Sequence, residues 1–126
     1  MARKKSPNLT EAELRIMEEL WRKGSGTVQQ LVDWIPSTLA YNSVLTTVRI
    51  LEKKGYVSHS QKDGRAFIYE PVVQREEATR SAVRQLVGKF FRNSHEALLL
   101  NILQDEAIDA TELKRLREML DRSEKK

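Results

Sequence analysis

The dipeptide Asp63-Gly64 sits between two runs rich in β-branched and aromatic residues, 56–61 and 65–71, and this predicts a β-hairpin that turns at "KDGR". Just upstream, Gly55 follows a helical pattern that begins at about Tyr41 or Asn42 and closes on Lys53 and Lys54. The glycine is placed to end that helix and the two lysines to complement its dipole. A helix that must stop at residue 54, with a hairpin beginning at once, leaves few architectures open.

Two more helices are predicted before it. Thr27 with Gln30 forms a capping box, Val28, Leu31, Val32 and Ile35 supply a short inward face, Pro36 stops the helix and "PSTL" turns the chain. Thr10 with Glu13 repeats the capping logic, with Leu9 and Leu14 at hydrophobic-staple positions. Leu14, Met17, Leu20 and Trp21 form the expected apolar face, up to a stop at Gly24 and Gly26. Three helices and then a hairpin is the order of a winged helix-turn-helix, whose third helix enters the major groove of DNA while the hairpin, the wing, meets the neighbouring backbone.

On a helical wheel at about 100° per residue, Val44, Val48 and Leu51 fall on one side of the third helix, about 42–54, and Asn42, Leu45, Thr46, Arg49 and Lys53 on the other. The second set holds the side-chain types that read base edges: asparagine toward adenine, arginine toward guanine, threonine toward either, and Leu45 toward a thymine methyl. Every surface helix has a polar face, so the plainer alternative is a solvated helix. An exposed Leu45 within that face, and Lys62 and Arg65 flanking the turn, favour DNA, because helix-turn-helix placement calls for both features together. Charge points the same way. The net charge is +4, and residues 36–69 hold Arg49, Lys53, Lys54, Lys62 and Arg65 against Glu52 and Asp63, while Arg3, Lys4 and Lys5 add a basic arm.

Beyond Pro71 the helical period returns. Residues 74 to about 92 carry Ala78, Ala82, Leu86, Val87 and Phe90 at helical spacing, Asn93-Ser94 breaks the pattern, and "HEALLLNILQ" follows. A last helix should begin near Asp109, with Glu112 as box partner and Leu113, Leu116 and Leu120 as its stripe. Leu98, Leu99, Leu100, Ile102 and Leu103 run nearly all round a short helix and require burial from more than one side. Folding back on the same chain is one way to bury them. A homodimer is favoured, because two operator half-sites demand two copies of the protein. The expected class is therefore mainly α with a small β-hairpin: a winged helix-turn-helix DNA-binding domain over residues 1–73 and a helical dimerisation segment over 74–126.

Other classes find little support. There is no nucleophile elbow, glycine-rich phosphate loop or histidine pair at metal spacing, and the carboxylates are scattered, so neither an enzyme nor a metal or cofactor site is expected. With no cysteine there is no disulfide framework and no thiolate site, and no run of about 18 apolar residues suggests a membrane span. The start has basic residues but no apolar stretch of a signal peptide, and the expected location is the cytoplasm.

The stretches "LTEAELRIMEELW", "TVQQLV", "YNSVLTTVRILEKKGYV" and "DGRAFIYEPVVQREEA" resemble the penicillinase-repressor family of bacterial winged-helix regulators, the BlaI/MecI type. The likeness runs through about the first 78 residues and more loosely to the end. It implies a dimeric transcriptional repressor on an inverted-repeat operator, with groove-facing positions at Asn42, Ser43, Leu45, Thr46 and Arg49 and wing contacts at Lys62 and Arg65. Many family members show an arginine just before the leucine equivalent to Leu51; Ile50 stands there instead, with Arg49 one step earlier. In relatives from penicillin-resistance systems a membrane sensor protease triggers cleavage after an asparagine followed by phenylalanine. The matching point is Asn101-Ile102, where Ile102 departs from the pattern, and the plainer reading of Asn101 is a helix residue beside a core stripe. Copper-responsive relatives use cysteines, and this chain has none. The competing reading from another class is a winged helix that binds a protein partner without specific DNA readout. The two differ in salt dependence, since releasing counterions from phosphates makes affinity fall steeply with salt.

Overall fold

The structure, a computed structural model, describes residues 9–36 and 38–124, so the basic arm Arg3, Lys4 and Lys5 lies outside the described residues. The elements run α1 (Glu11–Lys23), α2 (Val28–Trp34), α3 (Tyr41–Lys54), β1 (Val57–Ser60), β2 (Ile68–Pro71), α4 (Arg75–Phe90), α5 (His95–Leu103) and α6 (Ala110–Glu124). Two compact units divide between Gln85 and Leu86, inside α4.

In the first unit, local chemistry sets the helix boundaries. Thr10 Oγ1 accepts from the Glu13 amide at 3.1 Å and Glu13 Oε1 from the Thr10 amide at 2.9 Å, completing the capping box that starts α1. Thr27 and Gln30 do the same for α2. α3 ends in a Schellman motif: Gly55 is left-handed at φ 90°, its N–H donates to Glu52 O at 3.1 Å, and the Tyr56 N–H donates to Leu51 O at 2.9 Å. Tyr56 and Leu51 are both buried, so the motif anchors the chain in the core as it leaves α3 for the hairpin.

β1 and β2 are antiparallel, with Ser58 opposite Glu70 and His59 opposite Tyr69. At the tip Asp63 and Gly64 both have positive φ (53° and 69°) and the Arg65 amide donates to Lys62 O at 2.9 Å, as in a type I′ turn. The ladder register, continued, would set Lys62 against Ala66, whereas the turn joins Lys62 to Arg65. The return strand therefore carries one extra residue, and regular pairing starts only at Ile68 rather than at Arg65. A third segment joins the sheet. Gly26 exchanges two hydrogen bonds with Tyr69, 2.9 and 2.8 Å, and a Cβ at Gly26 would come within 2.6 Å of the Trp34 ring. "GSG" is thus more than a helix stop; glycine is needed for this close approach.

The core of the first unit gathers Ile16, Met17 and Leu20 from α1, Val28 and Leu31 from α2, Val44, Val48 and Leu51 from α3, Tyr56, Val57 and Tyr69 from the hairpin, and Val73 and Ala78 around the start of α4. Burying a leucine such as Leu20 or Leu31 contributes about 1.5–3 kcal/mol. The expected α1 face is corrected by one position: Leu14 is exposed and Ile16 is inside. A wheel supplies an arc of apolar positions, and the partners choose where on that arc the core falls; α1 packs on both α3 and β2.

Glu13 also crosses to α3, where Lys54 Nζ lies 2.8 Å from Oε1, with the Glu13 side chain only 5% exposed and that of Lys54 22%. Lys54→Met leaves a buried carboxylate short of its cation and is expected to destabilise the fold by about 2–3 kcal/mol, at or below the lower limit for a fully buried pair because Lys54 is partly solvated. Adding Glu13→Gln, which retains a capping partner for Thr10, should restore part of that loss in urea unfolding. Equal midpoints for Lys54→Met and the native chain would show that the pair contributes nothing.

In the second unit, Arg92 and Asn93 are left-handed at φ 49° and 66°, Ser94 caps α5 by accepting from the Ala97 amide, and Asp109 accepts from the Glu112 amide at the start of α6. Among the described residues of this unit only Val87 is buried. α5 buries none of its residues, although six of its nine are alanine, leucine or isoleucine.

Candidate nucleic-acid interface

α3 presents two faces because its apolar residues recur at helical spacing. Val44, Val48 and Leu51 are fully buried, and the opposite side leaves Asn42, Ser43, Thr46, Arg49 and Lys53 exposed. Asn42, Thr46, Arg49 and Lys53 follow one another at intervals of four, three and four residues, and so form one continuous row along the helix. Lys62 and Arg65 are exposed at the hairpin tip, on either side of the Asp63-Gly64 turn.

Leu45 departs from expectation. It is half-buried and packs against the core rather than standing free in the middle of the polar face, since its position lies toward the edge of the apolar arc. Ile50 is the opposite case. It was absent from the residues singled out for contact, yet it is 42% exposed, one helical turn after Thr46 and next to Arg49. Its place on the wheel was readable in advance; an aliphatic side chain simply does not announce itself as a ligand contact.

The hairpin is tied to α3 by side chains as well as by the Schellman motif. His59 Nδ1 and Glu52 Oε2 share a hydrogen bond of 2.6 Å, and the His59 ring stacks on Phe67 with centroids 4.3 Å apart. Glu52, the acidic residue of α3, thus has a partner on the hairpin. Burial pushes the Tyr69 phenol above its ordinary value; the Glu52 carboxylate adds to this and the Arg49 guanidinium opposes it. Tyr69 therefore stays protonated at neutral pH. Together these ties fix the direction in which the hairpin leaves α3. An exposed helix row of Asn, Thr, Arg and Lys beside a basic hairpin offers bidentate donors for base edges and cations for phosphates.

Asn101 and Ile102 are both exposed on α5, while Leu98, Leu103, Leu113 and Leu116 are half-buried and Leu99 and Leu120 exposed. No helix among the described residues is long and apolar enough to cross a membrane.

The chain is 24% identical over 120 residues to the penicillinase repressor of Bacillus licheniformis, covering 94% of this chain and 93% of that one. It is 23% identical over 125 residues to the methicillin resistance regulatory protein MecI of Staphylococcus aureus, covering 94% and 97%. Among solved structures, the solution structure of the DNA-binding domain of the repressor BlaI is similar with a TM-score of 0.52 and 30% identity, over 60% of this chain and 93% of that one. The penicillinase repressor family model matches residues 9–122, the winged helix and the helices after it alike, and the chain belongs to the penicillinase repressor family, a family of transcriptional repressors and not of enzymes.

Proposed function

We propose that this protein is a sequence-specific transcriptional repressor that binds an inverted-repeat operator as a homodimer, with α3 in the major groove and the hairpin on the sugar–phosphate backbone. The observation that carries this reading is the exposed row Asn42, Thr46, Arg49 and Lys53 on a helix whose other face is wholly core, next to Lys62 and Arg65 on the hairpin. Ser43 and the flank of Leu45 border that row. Residues 1–73 carry the DNA contacts and residues 74–126 the dimerisation, through Leu98, Leu99, Ile102, Leu103, Leu113, Leu116 and Leu120. In support, a leucine-rich α5 with no fully buried residue in one chain has apolar surface to offer a second copy. A cut at Asn101-Ile102 by a membrane sensor protease would divide α5 and so release the operator.

Arg49→Ala and Thr46→Ala should each relax sequence preference, by about 1–3 kcal/mol of discrimination at one base pair if the contact is well paired. Arg65→Ala should weaken all sequences alike, because a phosphate contact carries no sequence information. Competition binding against operator variants with single base changes measures both. A hairpin variant that shifted preference while the α3 variants did not would reverse the roles assigned here.

A further inference from the structure

Ile50 has no structural reason to be where it is. A β-branched residue is a mediocre helix former, and at 42% exposure it is not packed as Val44, Val48 and Leu51 are. A single exposed aliphatic side chain is ordinary on a protein surface. The neighbours of this one are not ordinary. Ser43, Thr46 and Ile50 lie three and four residues apart on one ridge of α3, and Thr46 belongs equally to the row that ends in Arg49 and Lys53. Ile50 therefore stands at the border of the polar and basic face of α3, where it is 42% exposed.

We infer that Ile50 is a specificity-determining residue that reads the 5-methyl group of a thymine in each operator half-site. The inference rests on the reading of α3 as the recognition helix. In the major groove the thymine methyl is the one apolar feature that a base pair displays, and hydrogen-bonding side chains cannot distinguish its presence from its absence. Leu45, the other aliphatic residue near this face, spends much of its surface on the core, which leaves Ile50 better placed to cover a methyl group. Four residues of helix advance about 6 Å, less than two base-pair steps of about 3.4 Å. The thymine in question therefore lies within about two base pairs of the one facing Thr46, beside the base that Arg49 contacts.

The test uses the full chain and a duplex selected by that chain from a random-sequence pool. Each thymine is replaced in turn by deoxyuridine, symmetrically in both half-sites, which removes the methyl group and nothing else. One replacement should weaken binding by about fifteenfold, roughly fourfold per half-site, the factor expected for one buried methyl group. The Ile50→Ala chain should bind the native duplex more weakly and show no further loss at that same thymine, while responding as the native chain does elsewhere. Ile50 is exposed, so the variant's thermal midpoint should match the native one. A preferred duplex on which deoxyuridine affects both proteins equally at every position overturns the assignment of Ile50 and leaves the DNA reading standing. A pool from which no preferred sequence emerges overturns both.

Discussion

Raising monovalent salt from about 50 to about 200 mM is expected to weaken binding of the full chain to its operator by about a thousandfold. Each protomer offers Arg49 and Lys53 on α3 and Lys62 and Arg65 at the hairpin tip, all exposed. Some of these cations go to bases, and a dimer that neutralises about six phosphates has a slope of log affinity against log salt near −5. The slope depends on how many cations meet phosphates, which the net charge of +4 per chain does not specify. The local distribution specifies it better, since four exposed cations on α3 and the hairpin tip face one acid on α3, Glu52. Fluorescence-anisotropy titrations at four salt concentrations give the slope directly. A slope near zero would mean that the exposed row of α3 meets a protein surface instead of DNA, and the scaffold reading would replace the repressor.

What could be read in advance was whatever depends on neighbours in sequence. Thr10 with Glu13, Thr27 with Gln30, Gly55 after two lysines, and Asp63-Gly64 each act within about four residues, and each forms the cap or turn it signals. The polar row of α3 was legible for the same reason, because a period of about 3.6 residues assigns faces without reference to the rest of the fold. What escaped depends on distant partners. Nothing near Glu13 announces that its carboxylate meets a lysine on α3, 41 positions along the chain. Likewise nothing near Gly26 announces a bridge to Tyr69. The placing of Leu14 outside and Ile16 inside, and of Leu45 against the core, belongs to the same class: the arc was visible, but the position of the packing partner on it was not. Ile50 differs from these, since its exposed position was legible and only its chemistry gave no reason to single it out.

Ending the chain after Gln85 should leave a folded monomer whose affinity for a full operator falls by about 10² to 10⁴, toward that for a half-site. The point of truncation follows from the packing. A stop at Pro71 would remove Val73 and Ala78 from the core of the first unit, and with Val73 its carbonyl, which accepts a hydrogen bond from the Trp21 indole at 2.8 Å; loss of binding would then report unfolding. A stop at Gln85 keeps all of these and coincides with the division between the two compact units. It removes α5 and α6, in which Leu99, Leu103, Leu116, Met119 and Leu120 line an apolar groove that the single chain leaves open. If that surface joins two copies, its loss turns one bivalent encounter into two independent ones, and affinity falls by the lost effective concentration while each α3 keeps its contacts. Sedimentation of the truncated chain checks the first step, and titration of whole and half operators the second, where half-site affinity should be unchanged. A truncated chain that stayed dimeric with undiminished operator affinity would place the interface in the winged helix and leave the exposed leucines of α5 and α6 without the role proposed for them.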